Sequence, residues 1–482
     1  MDKETRQNII IYLRNLQAQT ELRLRGFAFD QFGDKLPQRN GFILYQKYIN
    51  DFYNKGVEPR WIIMPGLRGV GKTTLLAQLF LQINFGDIEK MFLPVDEIIK
   101  KFSVSLWDIF DIWEEVILGK RIEELKGKVF IFLDEIQYEK QWDAVLKSLY
   151  DRSKNVFIFC TGSSSVLLRK QISADSARRA YFEELYPMSF TEFLKLKKNK
   201  FSEKGVAKRI KDILFLSENV QQALGALELL KPQVNRYWAN IDQLEVNRYL
   251  QYGTMPFALP IREEGVIYNQ LDQAINRIIF IDLPQIKNFE REVLSKIYAL
   301  LYTVSDGQQL SVSSVANEIG LNKDTLSLIL DSLVKCGLLL RLMPYGSHIA
   351  QVRKPSKYLF LSPAFRMLFL SSKESIKNFD HFKGKLLEDA VGLVCYKFLR
   401  SVPGASLVFD VAAGGADFIL KTNEKMFVLE VGFGNKGNQQ IVNTINRIGK
   451  DKNIFSILIS QREEIEVVEG VLRLPIKFFL LM

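Results

Sequence analysis

The sequence is poor in the residues that several common active sites require. Its 482 residues include only two histidines and three cysteines. Cys160, Cys336 and Cys395 lie far apart and follow neither a zinc-ligand spacing nor a disulfide framework. The scarcity of histidine argues against histidine-based zinc sites and against serine–histidine hydrolysis.

Long apolar runs are also absent from the sequence. No stretch approaches the roughly 20 apolar residues that a membrane helix needs. The first ten residues, MDKETRQNII, are charged and lack the apolar segment of a signal peptide. We therefore expect no membrane association, and unpaired cysteines fit a location in the reducing cytoplasm.

The overall composition is that of an ordinary globular protein. Charged residues make up 25% of the chain and hydrophobic residues 47%. A chain of 482 residues exceeds one ordinary core and predicts two to four domains. The net charge of +10 is compatible with nucleic-acid binding but does not by itself predict it.

A glycine-rich segment, GLRGVGKTTLL, follows the apolar run WIIM at 61–64. Gly66, Gly71, Lys72 and Thr73 fit the G-x-x-x-x-G-K-[ST] phosphate-binding loop. Glycine allows backbone N–H groups to point at an anion, and the helical spacing that follows would aim a helix N-terminus at it. The predicted nucleotide-binding residues are Gly66, Arg68, Gly69, Val70, Gly71, Lys72, Thr73 and Thr74.

A second segment supplies the carboxylates that such a loop needs. VFIFLDEIQ, residues 129–137, predicts a buried parallel strand ending in Asp134 and Glu135. We expect Asp134 to hold Mg²⁺ together with Thr73. Glu135 is the predicted catalytic acid that polarises the attacking water, and Lys72 contacts the β- and γ-phosphates.

Two further apolar runs predict strands, MFLPVD at 91–96 and NVFIFCTGSSS at 155–165. The first lies in the chain between the phosphate loop and Asp134, an arrangement typical of the P-loop class with a catalytic glutamate. The second ends at Thr161, which we assign a catalytic role in sensing the γ-phosphate. A helix cap at 163–165 is an equally good interpretation of that polar end and is compatible with the role.

Arg178 and Arg179 precede another apolar run. One of them is a candidate arginine finger, acting in its own chain or on a neighbouring subunit. A solvated arginine pair explains the same residues equally well.

Taken together, four segments resemble the archaeal and bacterial P-loop ATPases of AAA+ type that carry a winged helix and a C-terminal nuclease-like domain of the PD-(D/E)XK kind. The segments are GLRGVGKTTLL, FLDEIQYEKQWDAVLKSLYD, CTGSSSVLL and RRAYFEELYPMSFTEFL. The resemblance is strongest over about residues 40–195. It implies that Arg179, rather than Arg178, matches the family arginine, and that ATP or ADP with Mg²⁺ is the cofactor set.

The region after the ATPase core begins with a basic run and continues as helices. Residues 195–211 contain eight basic residues and one acidic residue, which indicates a solvated helix face or linker, or alternatively a track for phosphates. Residues 205–285 have a helical pattern, interrupted around Gly253, Pro256 and Pro260. The resemblance implies that they form a lid over the nucleotide.

A helix-turn-helix pattern follows at 310–346. Ser311 or Ser313 would cap the first helix, Gly320 and Asn322 would form the turn, and LLLRLMPYG would begin a wing. The second helix, 323–335, would use Leu326, Leu328, Ile329, Leu330 and Leu333 for its core. Its face toward DNA would offer Asn322, Lys323, Asp324, Thr325 and Ser327. Interdomain packing is the alternative role for such a winged helix.

The C-terminal segment alternates apolar runs and turns and carries Glu388, Asp417 and Glu430. The resemblance implies two acids for Mg²⁺ and a lysine two residues after the second acid, but that position is Gly432. Lys436 is a possible substitute. An active nuclease and a degenerate fold used for binding or assembly are both open, and the missing lysine favours the degenerate one.

The expected fold class is α/β: a P-loop NTPase core with a parallel sheet of the catalytic-glutamate class, a helical lid, a winged helix and a C-terminal α/β nuclease-like domain. The predicted domains are 1–195, 196–285, 286–375 and 376–482. The expected function is ATP hydrolysis coupled to conformational change on double-stranded DNA or a protein client, in a homo-oligomer. A nucleotide-gated self-assembly switch and an ATP-regulated DNA nuclease are the alternatives.

Overall fold

The computed structural model describes residues 1–307, 309–347, 351, 354–371, 379–434, 436–449 and 453–482. They form two compact units, unit 1 from Met1 to Tyr186 and unit 2 from Pro187 to Met482. His348, one of the two histidines, lies outside the described residues. Within the described ranges, no helix combines the length and apolar character needed to cross a bilayer.

Unit 1 is built on a parallel sheet of five strands. The order across the sheet is β2-β3-β4-β1-β5, and every pairing is parallel. The strands read as continuous apolar runs because both faces of the sheet are covered. This confirms the predicted P-loop core. The strands are β1 (Trp61–Pro65), β2 (Ile88–Pro94), β3 (Lys128–Asp134), β4 (Val156–Gly162) and β5 (Tyr181–Phe182).

The position of β4 differs from what chain order suggests. Along the chain, β2 separates the phosphate loop from Asp134, but in the sheet β2 lies at the edge. The strand between β1 and β3 is β4, with Ile63 paired to Cys160 and Leu133 paired to the same residue. Thr161 therefore lies between β1, which leads into the phosphate loop, and β3, which ends in Asp134, at the carboxyl ends of both strands.

Helices cover both faces of the unit 1 sheet. Local capping residues set where several of them begin, and the Ser164 hydroxyl accepts from the Leu167 N–H at 3.1 Å, which confirms the predicted cap at 163–165. The helices are α1 (Lys3–Ala28), α2 (Gly41–Lys55), α3 (Lys72–Gln82), α4 (Val95–Phe102), α5 (Leu106–Ile112), α6 (Trp142–Arg152), α7 (Ser165–Gln171) and α8 (Ala174–Ala177), with a π-helical segment at Trp113–Leu118 and 3₁₀ turns at Ile122–Glu124 and Ile136–Tyr138.

Unit 2 begins with a series of helices, as the sequence pattern of 205–285 predicts. The predicted interruption at 249–260 is a π-helical segment, Tyr249–Gly253, followed by a 3₁₀ turn, Pro256–Ala258. A further π-helical segment spans Ile278–Asp282. The α-helices up to residue 306 are α9 (Phe190–Lys198), α10 (Val206–Leu216), α11 (Val220–Trp238), α12 (Leu244–Arg248), α13 (Glu264–Arg277), α14 (Leu283–Ile286), α15 (Arg291–Ser295) and α16 (Ile297–Asp306).

A helix-turn-helix and an antiparallel hairpin follow. Helices α17 (Val312–Glu318) and α18 (Lys323–Lys335) precede strands β6 (Leu339–Pro344) and β7 (Lys357–Phe360). Asn322 begins α18 by accepting from the Thr325 N–H at 2.7 Å. Ser311 holds the N-cap position of α17 but makes no capping bond with its side chain.

One of the residues predicted for the α18 core, Leu328, does not belong to it. Leu328 is 46% exposed, whereas Leu326, Ile329, Leu330 and Leu333 are buried. The predicted set included Leu328, but a helix turns about 100° per residue and this position falls on the face opposite the core.

The remaining strands continue the hairpin into a sheet of eight strands, ordered β12-β13-β11-β10-β9-β8-β6-β7. The junction is a parallel pairing of β6 with β8, through Met343 with Val408 and Pro344 with Phe409. The strands are β8 (Ser406–Phe409), β9 (Phe418–Lys421), β10 (Met426–Gly432), β11 (Ile454–Ser460), β12 (Glu466–Val468) and β13 (Val471–Pro475). The helices are α19 (Pro363–Ser371), α20 (Phe379–Ser401), α21 (Gln439–Ile448) and α22 (Ile476–Phe479).

The division into four domains stays a prediction, and two observations bear on its boundaries. The compact units separate between Tyr186 and Pro187, nine residues before the predicted end of the ATPase domain at 195. The β6–β8 pairing also crosses the predicted boundary between 375 and 376.

A buried ion pair ties the end of α16 and strand β7 to α20. Arg366 on α19 donates to Asp389 on α20 at 2.6 and 2.8 Å, and also to the carbonyl of Ser305 at the end of α16 at 2.9 Å. Asp389 in turn accepts from the Phe360 N–H of β7 at 3.1 Å. Both charged side chains are almost fully buried, so each depends on the other for compensation.

We expect Arg366→Met to lower the free energy of unfolding of unit 2 by about 3–5 kcal/mol, because it leaves the Asp389 carboxylate buried and unpaired. Urea denaturation of the full chain, followed by hydrogen-exchange mass spectrometry, would measure the effect. The peptides of unit 2 would report the free energy of unfolding of that unit separately. Lys208→Met, on an exposed lysine of α10, is the control and should change stability by less than about 0.5 kcal/mol. A loss of stability in Arg366→Met no larger than that of the control would contradict the assignment of Arg366 as the partner on which Asp389 depends.

Candidate nucleotide-binding site

The phosphate loop connects β1 to α3 and takes its shape from its glycines. Gly69 and Gly71 have φ values of 88° and 89°, a region that glycine occupies without steric cost. Gly66 is required for another reason, because a Cβ there would lie 2.4 Å from the carbonyl oxygen of Leu185. Of the other predicted loop residues, Val70 is buried, and Arg68 and Thr74 are half-buried.

Lys72 begins α3 and is only 5% exposed. Its ammonium donates to the carbonyl oxygens of Gly66 at 2.9 Å and Leu67 at 3.4 Å. These bonds hold a buried positive charge beside the loop. An anion with several oxygens in the loop would offer this ammonium a stronger partner than neutral carbonyls do.

Asp134 ends β3 and is held by hydroxyls from two other elements. Its Oδ2 accepts from Thr73 of α3 at 2.8 Å, and its Oδ1 accepts from Thr161 of β4. The Thr161 hydroxyl also accepts the backbone N–H of Glu135 at 3.0 Å. Four of the predicted catalytic and metal-binding residues therefore form one hydrogen-bonded network at the carboxyl edge of the sheet.

The environment raises the pKa of Asp134 to about 6. Burial is the main cause, and the neighbouring Glu135 carboxylate adds to it. Hydrogen bonds from Thr161 and Thr73 and the charge of Lys72 act in the opposite direction. A carboxylate held this way gains from a nearby cation, since a cation would offset the cost of its burial.

Glu135 and Gln137 form a second contact that motif spacing does not reveal. Glu135 has φ 57°, the left-handed region that non-glycine residues seldom adopt and that often marks a functional position. The buried Gln137 side chain donates to the Glu135 carboxylate and, at 3.0 Å, to the Ser163 hydroxyl. Gln137 thus holds the Glu135 side chain in place, and sequence reasoning did not single it out.

Arg39 is a further residue at the site that sequence reasoning missed. It is 6% exposed and donates to the carbonyl oxygens of Val70, in the phosphate loop, at 2.5 Å and Tyr186 at 2.8 Å. It holds the loop from the segment between α1 and α2. No local pattern around Arg39 signals this role, because it depends on how the chain folds back.

The two candidate arginine fingers lie elsewhere. Arg179 donates to the Asp151 carboxylate at 2.8 Å and to the Asp175 carbonyl at 2.7 Å. Asp151 is at the carboxyl end of α6, which returns to the edge of the sheet opposite the phosphate loop. Arg178 pairs with Asp175 and is largely exposed. The structure therefore does not bring Arg179 to its own phosphate loop, and a role on a neighbouring subunit stays a prediction.

The second predicted set of acids comes together in unit 2, around two lysines. Lys357 of β7 contacts Glu388 of α20 and lies 3.1 Å from Asp417. Lys436 contacts Glu430 of β10 and lies 4.0 Å from Asp417. Sequence reasoning named Lys436 but not Lys357. Among the described residues, no group of three or more acidic, histidine or cysteine side chains is arranged to hold a metal ion.

Comparison with known proteins supports the P-loop core described for unit 1. Residues 58–194 match a family model described as "AAA domain", and residues 243–374 match a domain of unknown function, DUF8612. The protein MJ1637 of Methanocaldococcus jannaschii is 35% identical over 437 residues, which cover 90% of this chain and 87% of that protein. This chain belongs to the MJ1637 family. The fold of unit 1 is that of a P-loop NTPase core, and its residues 58–194 are similar to an AAA domain.

More distant likenesses are weaker. MJ1544 of the same organism is 26% identical over 56% of this chain, and the match spans 53% of MJ1544. Among solved structures, DnaA from Aquifex aeolicus bound to AMPPCP is 13% identical, covers 62% of this chain and 89% of that one, and has a TM-score of 0.25. PCH-2 of C. elegans is 16% identical, covers 66% of this chain and 68% of that one, and has a TM-score of 0.22. TM-scores this low do not define a shared overall fold.

Mg²⁺-dependent nucleotide affinity should fall as the pH is lowered through about 6, where Asp134 becomes protonated. The carboxylate can take part in a metal site only above that pKa, so the apparent dissociation constant should rise about tenfold per pH unit below it. Titration of a fluorescent ATP analogue with and without Mg²⁺ would measure the effect.

Asp134→Asn is the matched control for that titration, because the terminal phosphate of the nucleotide also titrates near this pH. The variant should bind more weakly and show only the part of the pH dependence that belongs to the nucleotide. Identical pH profiles for both proteins would show that Asp134 does not titrate at the site.

Proposed function

We propose that this chain binds and hydrolyses ATP with Mg²⁺ and couples its nucleotide state to conformational change on double-stranded DNA or a protein client. The observation that supports this most is the convergence of Lys72, Thr73, Asp134 and Glu135. The phosphate loop after β1 supplies a cationic group and N–H groups. Asp134 and Glu135 follow at the carboxyl end of β3, two strands away, where Asp134 contacts Thr73.

The residues around Asp134 fit a hydrated magnesium ion. Thr73 Oγ1 and Asp134 Oδ2 are 2.8 Å apart, and oxygen ligands of this kind are those that Mg²⁺ prefers. When bound, the ion would neutralise charge on the phosphates. Thr73 would turn its hydroxyl from Asp134 toward the ion, and Lys72 would exchange loop carbonyls for phosphate oxygens.

Glu135 is the group we assign to the attacking water. The Thr161 hydroxyl fixes the Glu135 backbone by accepting from the Glu135 N–H. The Gln137 side chain donates to both the Glu135 carboxylate and the Ser163 hydroxyl, and so holds the Glu135 side chain toward Ser163. Glu135 would orient the water and accept its proton as the water oxygen bonds to the γ-phosphorus and the bond from that phosphorus to the bridging oxygen of ADP breaks. Gln137 must therefore release or re-aim the carboxylate for turnover, which makes these two side chains a natural point of control.

DNA contact is supported by the helix-turn-helix and by charge. Lys323 and Asp324 are exposed at the start of α18 and Thr325 is half-buried, while Asn322 is engaged in capping that helix. Such a set favours contact with the DNA backbone over reading of base edges. The basic run contributes less than its composition suggests, because Lys197 and Lys198 both pair with the buried Glu245.

A nucleotide-gated self-assembly switch is the second candidate. The position of Arg179 favours it, because a finger held away from its own phosphate loop could serve only a neighbouring subunit. In a switch of this kind, ATP would promote association into a homo-oligomer and turnover would be slow.

Lys72→Ala should abolish detectable ATP binding, because the phosphate charge would lose its buried partner. Isothermal titration calorimetry would measure it. Lys55→Ala, on an exposed lysine of the same unit, should bind as the unmodified chain does. Equal affinity in Lys72→Ala and the control would remove the phosphate-loop assignment.

Glu135→Gln should retain ATP binding and lose at least about a hundredfold in turnover, in line with the usual size of general-base effects. Phosphate release should be measured with and without double-stranded DNA, and oligomeric state with and without ATP. Stimulation by DNA that Glu135→Gln abolishes would support coupling to DNA. Slow turnover that DNA does not change, together with ATP-dependent association of the chain, would support the self-assembly switch.

A further inference from the structure

The acid cluster of unit 2 does not carry the arrangement that its resemblance implies. In a nuclease-like site of that kind, carboxylates would share a divalent cation. Here an ammonium group already lies against each of the three carboxylates. Lys357 lies between Glu388 and Asp417, and Lys436 lies between Glu430 and Asp417.

The two lysines reach the cluster in different ways. Lys436 comes from the loop after β10 and runs across Gly432, where a Cβ would lie 2.4 Å from the Lys436 Cδ. Its side chain thus fills the space that a side chain at 432 would need, and that side chain is 33% exposed. Lys357 comes from β7 of the hairpin. Its side chain is only 5% exposed, so the fold buries this lysine at the cluster.

Charge balance explains why the buried lysine is tolerated. Burial opposes the positive charge of Lys357, but the adjacent Glu388 and Asp417 carboxylates outweigh it and raise the pKa of Lys357. Burial also raises the pKa of Glu388 and Glu430, which shows how little solvent compensates them. Two ammonium groups against three carboxylates leave at most one net negative charge, too little to attract a divalent cation strongly.

Access does not explain the exclusion. Lys357, Asp417 and Lys436 line a cavity of about 210 Å³, together with the loop at 412–416. A hydrated ion could therefore approach Asp417, whereas the buried Glu388 and Glu430 do not line this cavity. What it would meet there is the ammonium of Lys357, held at contact distance by two acids.

We infer that Lys357 is a resident cation that takes the place of a divalent metal in this cluster, so that the cluster joins the hairpin to the C-terminal sheet and holds no metal. Lys357 links β7 to α20 and to the start of β9, which is the connection a shared metal would otherwise make. This inference is independent of the proposed ATPase activity. It also means that removing one side chain should create a metal site.

The test is Mn²⁺ binding by the full chain, measured by electron paramagnetic resonance without nucleotide. Asp134→Asn serves as the parent, so that the nucleotide site contributes no binding. The parent should show no site that depends on Glu430. Adding Lys357→Met should raise Mn²⁺ affinity by about tenfold or more, because a positive charge at contact distance is removed. Adding Glu430→Gln to that variant should abolish the gain.

Two controls keep the outcome decisive. Lys208→Met removes an exposed lysine of the same unit and should gain nothing. If Lys357→Met does not fold, the double variant Lys357→Met/Glu388→Gln removes the pair together and leaves Asp417 and Glu430 to bind the ion. Mn²⁺ binding by the parent that Glu430→Gln removes would overturn the inference. Absence of binding in a folded Lys357 variant would overturn it too.

Discussion

The carboxylate of Asp134 is the group on which the organisation of unit 1 depends. A buried carboxylate is costly unless it is hydrogen-bonded, and here the two donors are hydroxyls from different elements, Thr73 at the start of α3 and Thr161 at the end of β4. Both can reach it only because β4 lies between β1 and β3. Strand order, loop shape and side-chain chemistry therefore meet at a single charge.

Unit 2 meets the same physical requirement in the opposite way. Its buried carboxylates Asp389 and Glu388 have cations supplied by the chain itself, from Arg366 and Lys357. In unit 1, the direct partners of Asp134 are neutral hydroxyls, and burial together with the Glu135 carboxylate raises its pKa. These two ion pairs of unit 2 are thus compensated without a ligand. Unit 1 is arranged so that a cation and an anion arriving together would relieve it.

The sequence predicts those parts of the site that depend on neighbours along the chain. The loop around Lys72 and the acids at the end of β3 follow from spacing and from strand ends, and the parallel core that carries them is confirmed. Arg39 and Lys357 could not be found this way, because each acts on residues far away in sequence. Leu328 shows a related limit, since an apolar residue type does not fix which face of a helix it occupies.

The pairing of β6 with β8 has a consequence for how this chain can be divided. The hairpin after the helix-turn-helix is hydrogen-bonded into the eight-stranded sheet, so the two regions are one continuous β-structure. Cutting the chain at 375 would leave β8 with an unpaired edge, and exposed edges of this kind recruit other strands. A fragment starting there should aggregate rather than fold as a module, and evolutionary exchange of the C-terminal region would have to carry the helix-turn-helix with it.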